Sequence, residues 1–418
     1  MEAEQPVAPD EGGESAIPVS RTTRPRRAPG RFVDAAAFEE AFGEPLSHAL
    51  DLASWLPDDF PAMLNELRRQ IRTSVAREDA VRRKIREDVF PRLQTREQAV
   101  VGGGVYRVTT EQLERAHRCV LLNGGVDACD GTVTHHDALP LTVIRVGACL
   151  VSYHGRQNHF AHQFYRHDFR LTDSDPIGQT VDLLERRRER AGVDPNEQRD
   201  ILSELSRRGM MAYAERALLA RESKAIWRMG HGTPMPVELF SGSGSMELFE
   251  AGLEVVRELV WKHRRFVFVP SAPRERALLT IGQALNPLEF AIVDSMESRL
   301  QRLVDTSSYY PRTRELQAER FATEVGSKMV IGLYRVSEAA PAMIFYAHVD
   351  HAAEAALIAM ADSALMSHRG FPLLIDVADR FCQSTFGTET LRSAAQEAYA
   401  DAGVPFRYMA EREGRAKG

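Results

Sequence analysis

The sequence has 418 residues and is 44% hydrophobic, enough to bury a large core, and its formal net charge is -6. This acidic balance excludes no nucleic-acid ligand, because phosphate contacts depend on local basic patches. The four cysteines form no CxxC pair, which argues against a structural zinc site. No apolar run approaches the ~20 residues of a membrane span, and the N-terminus lacks the pattern of a signal peptide. We therefore expect a cytoplasmic protein with no membrane contact.

The N-terminal part of the chain is predicted to lie outside the main domain. Residues 1–30 are rich in Pro, Glu, Gly, Ser and Arg and should form a disordered tail. Residues 31–100 are predicted to form a helical arm, because Leu64, Leu67 and Ile71 recur at helical spacing among charged residues. Such an arm is expected to pack on a neighbour or on a second subunit.

From residue 119 onward the pattern changes to short, apolar and β-branched runs that predict a sheet. The predicted strands are 119–122, 126–129, 141–153, 226–229 and 265–270, followed by a hairpin of 329–336 with 342–349. Helices are predicted over 175–224, 246–262, 275–305, 352–366, 371–383 and 388–402. Strands that first pair and then alternate with helices indicate a mixed α/β sheet covered by helices.

The first residue that could carry chemistry is Asp130, in the segment Asp127-Ala-Cys-Asp-Gly-Thr. It is predicted to end an apolar strand, and Gly131 would allow a tight turn directly after it. A carboxylate that a strand end holds rigidly suits a hard divalent cation. The alternative is an ordinary Asp-Gly turn, the commonest use of this dipeptide. Asp127 and Asp130 should face opposite ways on the strand, which argues against both being ligands.

The second candidate is Glu215, in a segment of high helix propensity. It shares one helix face with Met211, Leu218 and Leu219. A carboxylate on an apolar face carries a desolvation cost unless it is paired or bound to a metal. The pattern therefore fits either a metal ligand or a buried ion pair.

Two further candidates lie later in the chain. His231 is predicted at a second strand end, again followed by a glycine, and the alternative is a structural histidine. Asp376 and Asp379 are three residues apart, so they share one face of a helix that Pro372 would start. Both could reach one ligand, and the alternative is that they are acids favoured by the helix dipole.

In this order, the segments resemble the NurA nuclease family over roughly residues 119 to 405. That family has Asp-Gly-Ser/Thr at the end of its first core strand, here Asp130-Gly-Thr, and a helical Glu before the second strand, here Glu215. The second strand of the family ends in Asp-Gly, where this chain has His231-Gly. Near the C-terminus the family has Gly-Tyr-Pro and then Ala-His or Ala-Asp, here Gly-Phe-Pro and then Asp379.

The resemblance implies an RNase H-like mixed sheet flanked by helices, in a nuclease domain spanning 101–418. It implies that Asp130, Glu215, His231 and Asp379 are the catalytic and metal-binding residues of a Mn²⁺- or Mg²⁺-dependent DNA nuclease. The family's usual residues at the last two positions are Asp and His, so the resemblance also implies that a carboxylate and an imidazole have been exchanged. The implied partners are DNA, a second copy of the chain in a homodimer, and a hexameric HerA-type DNA-translocating ATPase, in DNA-end processing or phage defence.

Two other hypotheses compete with this one. His231 in place of the usual Asp favours a catalytically inactive adaptor or scaffold that regulates the motor. A third hypothesis is an unrelated α/β enzyme whose Asp-Gly turns are structural. The observation that best separates them is whether Asp130, Glu215, His231 and Asp379 converge on one point.

Overall fold

The computed structural model describes residues 35–55, 60–97, 99–138, 141–155, 157–166, 177–178, 181, 204–272, 275–306 and 312–406. The predicted tail at 1–30 lies outside these residues, and so does most of the part of the predicted helical segment 175–224 that precedes residue 204. The chain divides into two compact units, residues 1–76 and residues 77–418. Among the described residues, no helix is long and apolar enough to cross a membrane.

The described helices and strands are numbered in chain order. Helices α1 to α14 are Ala35–Phe42, Leu46–Leu50, Phe60–Asp88, Arg92–Thr95, Thr110–Ala116, Glu204–Ala217, Val237–Phe240, Met246–Glu258, Arg276–Gln283, Met296–Thr306, Arg312–Glu324, Ala352–Ala364, Leu373–Phe386 and Thr388–Asp401. Strands β1 to β9 are Gly104–Arg107, Val126–Ala138, Leu141–Val151, Gln157–Arg166, Trp227–His231, Phe266–Val269, Glu289–Ser295, Met329–Arg335 and Met343–His348. Wider helical turns extend α5, α6 and α8.

The first unit is helical in its described part. It contains α1, α2 and the beginning of α3, and none of its described residues is buried. The second unit begins within α3, where Ile85 is buried, and it continues through α4, where Leu93 belongs to the hydrophobic core. The domain boundary predicted near residue 100 remains a prediction, but these two residues place part of the predicted arm in the second unit.

The described strands of the second unit form one sheet in the order β1-β7-β8-β9-β6-β5-β2-β3-β4. β2, β3 and β4 are antiparallel neighbours, whereas β5 and β6 run parallel to β2. Read from the β4 edge, the order of these five strands is β4-β3-β2-β5-β6. If β2 is counted as strand 1, this order is 3-2-1-4-5, and strands 4 and 5 run parallel to strand 1. This is the predicted RNase H-like arrangement, and the prediction of a mixed sheet flanked by helices is confirmed.

Helices cover both faces of the sheet, as the continuous apolar strand β6 requires. Phe266 and Phe268 belong to one buried cluster, and the alternating residues Val267 and Val269 belong to another. The first cluster includes residues of α8, and the second includes residues of α12 and α13. Because successive side chains of a strand point to opposite faces, a strand of this kind must be covered on both sides.

Two predictions of secondary structure are wrong. The run Cys119–Leu122 was predicted as a strand, but its described backbone continues the helix α5, which begins with a capping box between Thr109 and Gln112. The stretch 275–305 was predicted as helical, but β7 interrupts it. A run of four apolar residues fits a strand and a buried helical turn equally well, so periodicity cannot separate them.

Candidate active site

Asp130 lies within β2 and not at a strand end, so the predicted tight turn after it is wrong. β2 continues to Ala138, and Asp130 pairs with Cys149 of β3. On the other side of β2, however, β5 pairs only with residues 126–129. Asp130 is therefore the first residue beyond this parallel pairing, where its side chain can meet groups at the end of β5.

Gly131 serves the packing of a helix and not a turn. Its backbone stays in the strand and does not have a positive φ. A Cβ atom at this position would lie 2.7 Å from Oε1 of Glu215 and 2.7 Å from Cγ of Met211. Real Cβ atoms do not approach so closely, so the glycine allows α6 to lie directly on β2. The Asp-Gly pair thus brings Glu215 to the strand that carries Asp130.

The side chains on the two faces of β2 have different neighbours. Asp127 faces the side of α6, where its Oδ2 accepts hydrogen bonds from the Ser223 hydroxyl at 2.8 Å and from the Ala225 backbone at 3.2 Å. Because successive side chains of a strand alternate, Asp130 and Thr134 lie on the other face. There the Thr134 hydroxyl donates to the carbonyl of Phe386, the last residue of α13, at 3.2 Å. Asp127 is a structural residue, in agreement with its predicted orientation away from Asp130.

His231 is the last residue of β5, and Gly232 follows it with a φ of +83°. Its Nδ1 lies 3.3 Å from Oδ1 of Asp130, and its Nε2 lies 2.9 Å from the hydroxyl of Ser271. Burial lowers the pKa of His231, but the hydrogen bond and negative charge of Asp130 outweigh burial and raise the pKa above its ordinary value. The strand end predicted for His231 is present, and its nearest charged partner is Asp130.

Glu215 is buried on α6, as the apolar face predicts, and it forms an ion pair with Arg216. Burial raises the pKa of Glu215 to about 7, the charge of Arg216 opposes that rise, and Asp130 adds to it. The alternative of a buried ion pair is therefore realised. Glu215 still belongs with Asp130 and His231, because its carboxyl also interacts electrostatically with His231. These residues, together with Asp379, are called the cluster below.

Asp379 approaches the cluster from α13, which packs on β2 and β3. Burial raises its pKa, the charge of Asp130 raises it further, and His231 acts in the opposite direction. Asp376, one turn earlier on the helix, forms an ion pair with Arg369. The two acids of this helix therefore have different partners. Asp379 interacts with the cluster, and Asp376 pairs with Arg369.

The four predicted residues lie on β2 and on three elements that pack on it or pair with it, namely α6, β5 and α13. Asp130 and His231 are in hydrogen-bond contact. In their present positions, no three His, Cys, Asp or Glu side chains among the described residues are close enough to hold a metal ion. The chemistry of the donors still fits a hard divalent cation, because three carboxylates and one imidazole form an oxygen-rich set.

Sequence reasoning missed two residues of the site. Arg216 is adjacent to Glu215, but nothing in the helical pattern of the sequence distinguishes a buried arginine from an exposed one. Ser271 follows β6, and its backbone N–H donates to Nε2 of His231 at 3.4 Å. The parallel pairing of β5 with β6 brings the ends of these strands together, which is a signal that strand order would have supplied.

No family model matches the sequence, and no curated protein matches it. The crystal structure of the NurA nuclease from Sulfolobus solfataricus is similar with a TM-score of 0.44 and 9% identity, over 83% of this chain and 98% of that chain. A crystal structure of NurA is similar with a TM-score of 0.38 and 9% identity, over 81% and 97% of the two chains. NurA with manganese has a TM-score of 0.34 and 10% identity, over 69% and 95%. Similarity at this level carries no argument about function, which has to stand on the site itself.

Proposed function

We propose that the chain is a Mn²⁺- or Mg²⁺-dependent DNA nuclease that hydrolyses phosphodiester bonds. The observation that carries this proposal is the 3.3 Å contact between Nδ1 of His231 and Oδ1 of Asp130, with Glu215 packed over Gly131 and Asp379 on the helix α13 that packs on the same strand. They lie far apart in sequence, and they are the positions to which the NurA resemblance assigns chemistry. Carboxylates that lie near one another repel unless a cation or a proton joins them, and a bound divalent cation would supply that charge.

In this proposal the four residues hold the cation, which supplies the positive charge that stabilises a phosphodiester during hydrolysis. Asp130 has a second task, because its Oδ1 faces Nδ1 of His231. The N–H of Ser271 points at Nε2, so the ring proton belongs on Nδ1, toward Asp130. Asp130 thereby fixes the orientation and the tautomer of the imidazole.

The proposed partners are DNA and a HerA-type hexameric ATPase. The glycine-rich segment 240–245 lacks the Gly-Lys-Ser/Thr ending of a P-loop, so DNA translocation would have to come from another protein. A nuclease of this kind would act on DNA that the motor delivers, in DNA-end processing or in phage defence.

The alternative function is an inactive adaptor that regulates the motor. The ion pair between Glu215 and Arg216 favours it, because this pair satisfies the carboxylate without a metal. Cleavage of a labelled DNA duplex in Mn²⁺, measured with and without the ATPase and with a chelator as control, separates the two functions. The nuclease cleaves in Mn²⁺ and stops with the chelator, whereas the adaptor never cleaves but changes the rate of ATP hydrolysis.

The surface of α3 supports a homodimer as the proposed assembly. Its exposed apolar residues follow helical spacing in the first unit, and they are Phe60, Met63, Leu67, Ile71 and Val75. A stripe of this kind on one helix face is typical of a surface that packs on another helix. We propose that two copies of the chain pair through this stripe.

Replacing Leu67 and Ile71 with Glu is expected to convert the dimer into a monomer, because the charges would lie within the apolar contact. Light scattering of the purified chain measures the change in mass. Arg68→Glu with Arg72→Glu is the matched control, since it has the same spacing on an adjoining face and should leave the mass unchanged. A truncation test should remove residues 1–76 only, because Ile85 and Leu93 are buried in the second unit. A chain whose mass does not respond to the Leu67 and Ile71 changes contradicts the stripe as an interface.

The exchanged pair predicts a non-additive result. His231→Asp restores the usual family residue, but it also adds a negative charge to a cluster that already contains Asp379 and Asp130, which disfavours the charged forms. The double change of His231→Asp with Asp379→His should therefore retain more Mn²⁺-dependent cleavage than either single change. Rates across the four variants form the measurement. Simple addition of the two single effects would show that the residues do not share one site.

A further inference from the structure

Arg216 lies at the centre of the site, and no step of the proposed function uses it. Its side chain is almost completely buried, at 2% exposure, and it is adjacent to Glu215 on α6. A guanidinium group has five N–H donors, and burial makes an unsatisfied donor costly. The acceptors that surround Arg216 therefore indicate what the side chain holds in place.

All five donors have an acceptor. One of the two Nη1 donors meets Oε2 of Glu215. The other four meet backbone carbonyl groups, and these are the carbonyls of Ala212 at 3.1 Å, His231 at 3.3 Å, Thr233 at 2.5 Å and Pro234 at 3.2 Å. Three of the four belong to the turn that begins with His231, so one buried cation joins α6 to the end of β5.

The ion pair also determines which oxygen of Glu215 faces the cluster. Arg216 holds Oε2, and Oε1 lies over the backbone of Gly131, the residue that follows Asp130 in β2. The other end of the same guanidinium holds the carbonyl of His231. The relative placement of the Glu215 carboxylate and the His231 backbone thus depends on a single planar group with fixed donor directions.

We propose that Arg216 is the positioning residue of the site, setting Glu215 and His231 at a fixed separation so that both reach one divalent cation. This inference rests on the proposed function. Arginine is suited to the task because its rigid fork spans a carboxylate and several carbonyls at once, whereas lysine presents a compact charge. The groups that hold a metal ligand in place commonly change metal affinity by about 10–100-fold when they are replaced.

The test compares two buried arginines of the second unit. Arg228 also donates to backbone carbonyls, those of Leu219 at 2.7 Å, Ala225 at 3.3 Å and Ser223 at 3.3 Å, but it contacts no residue of the cluster. Mn²⁺ affinity of the full chain is measured by calorimetry for the parent, Arg216→Lys and Arg228→Lys. Arg216→Lys should weaken Mn²⁺ binding by at least about tenfold, and Arg228→Lys should leave it unchanged. A purely structural role for Arg216 predicts that neither substitution changes the affinity.

A second measurement needs no variant that might misfold. With ¹⁵N-labelled arginine in the parent chain, the guanidinium resonance of Arg216 should shift during a Mg²⁺ titration, with the same midpoint as binding. The resonance of Arg228 should stay constant. Binding of Mg²⁺ without any shift at Arg216 overturns the inference alone. A parent chain that binds neither Mn²⁺ nor Mg²⁺ overturns the proposed function, and this inference with it.

Discussion

Replacement of Asp130 by Ala is expected to abolish Mn²⁺-dependent cleavage of duplex DNA, with a rate loss of roughly 10²–10³-fold or more. Asp130 is the residue that the other three members of the cluster share, since its charge acts on Glu215, on His231 and on Asp379. Its removal would take away a cation ligand and the acceptor that orients His231. Cleavage rates at saturating Mn²⁺ and across a Mn²⁺ titration are the measurement.

The matched control is Asp376→Asn. Asp376 carries the same functional group one helical turn from Asp379, but its partner is Arg369 and not the cluster. This variant should cleave at the parent rate. Thermal unfolding of each variant shows whether the fold is retained. Undiminished cleavage by a folded Asp130→Ala protein would remove Asp130 from the active site and contradict the assignment of the catalytic residues.

The sequence predicts the elements of the site better than their contacts. The apolar alternation around Asp130 and the glycine after His231 correctly indicate strands, and the apolar face of α6 correctly places Glu215 in the interior. The Asp-Gly pair predicts a turn, but the glycine is there because a helix packs against it. Local sequence cannot distinguish these two uses of glycine, because the second depends on a residue that is distant in the chain.

Two strands that the sequence does not indicate, β4 and β7, show the same limit. β4 contains His159 and His162, and its polar sequence does not indicate a strand. β7 is apolar but lies between two helices, and the helical pattern on both sides conceals it. Both strands are defined by pairing with partners that only the folded sheet provides, β3 for β4 and β8 for β7.

Arg216 shows why the electrostatics of the site could not be predicted. An arginine next to a glutamate on a helix usually points in a different direction, because adjacent residues do not share a helix face. Here the side chain passes into the interior and reaches the turn after β5, which is adjacent to α6 only in the folded protein. The alternatives of a metal ligand and an ion pair for Glu215 therefore stay open at the level of sequence. In the folded protein the ion pair takes Oε2 and leaves Oε1 over Gly131.

Removal of the Arg216 charge is expected to have the largest effect on stability. Arg216→Met leaves Glu215 buried without its counter-ion and leaves backbone carbonyls without donors, so we expect a loss of about 3–5 kcal/mol in the free energy of unfolding at pH 8. The loss should be smaller at pH 5. Urea unfolding of the parent and variant between pH 5 and pH 8 measures the difference.

The sign of this pH dependence follows from Glu215. Its pKa in the folded chain is raised to about 7 from an ordinary 4.5, so the protonated carboxyl favours the fold. The contribution of the protonated Glu215 carboxyl to the free energy of unfolding is complete below about pH 4.5, and it is lost as the pH rises through 7. Without Arg216 the pKa of Glu215 should rise further, and the loss should continue above pH 7. Glu215→Gln combined with Arg216→Met removes the titrating group, so this double variant should lose stability equally at pH 5 and pH 8 relative to Glu215→Gln alone. An equal pH dependence of Arg216→Met with and without Glu215 would show that the two side chains are not coupled in the folded protein.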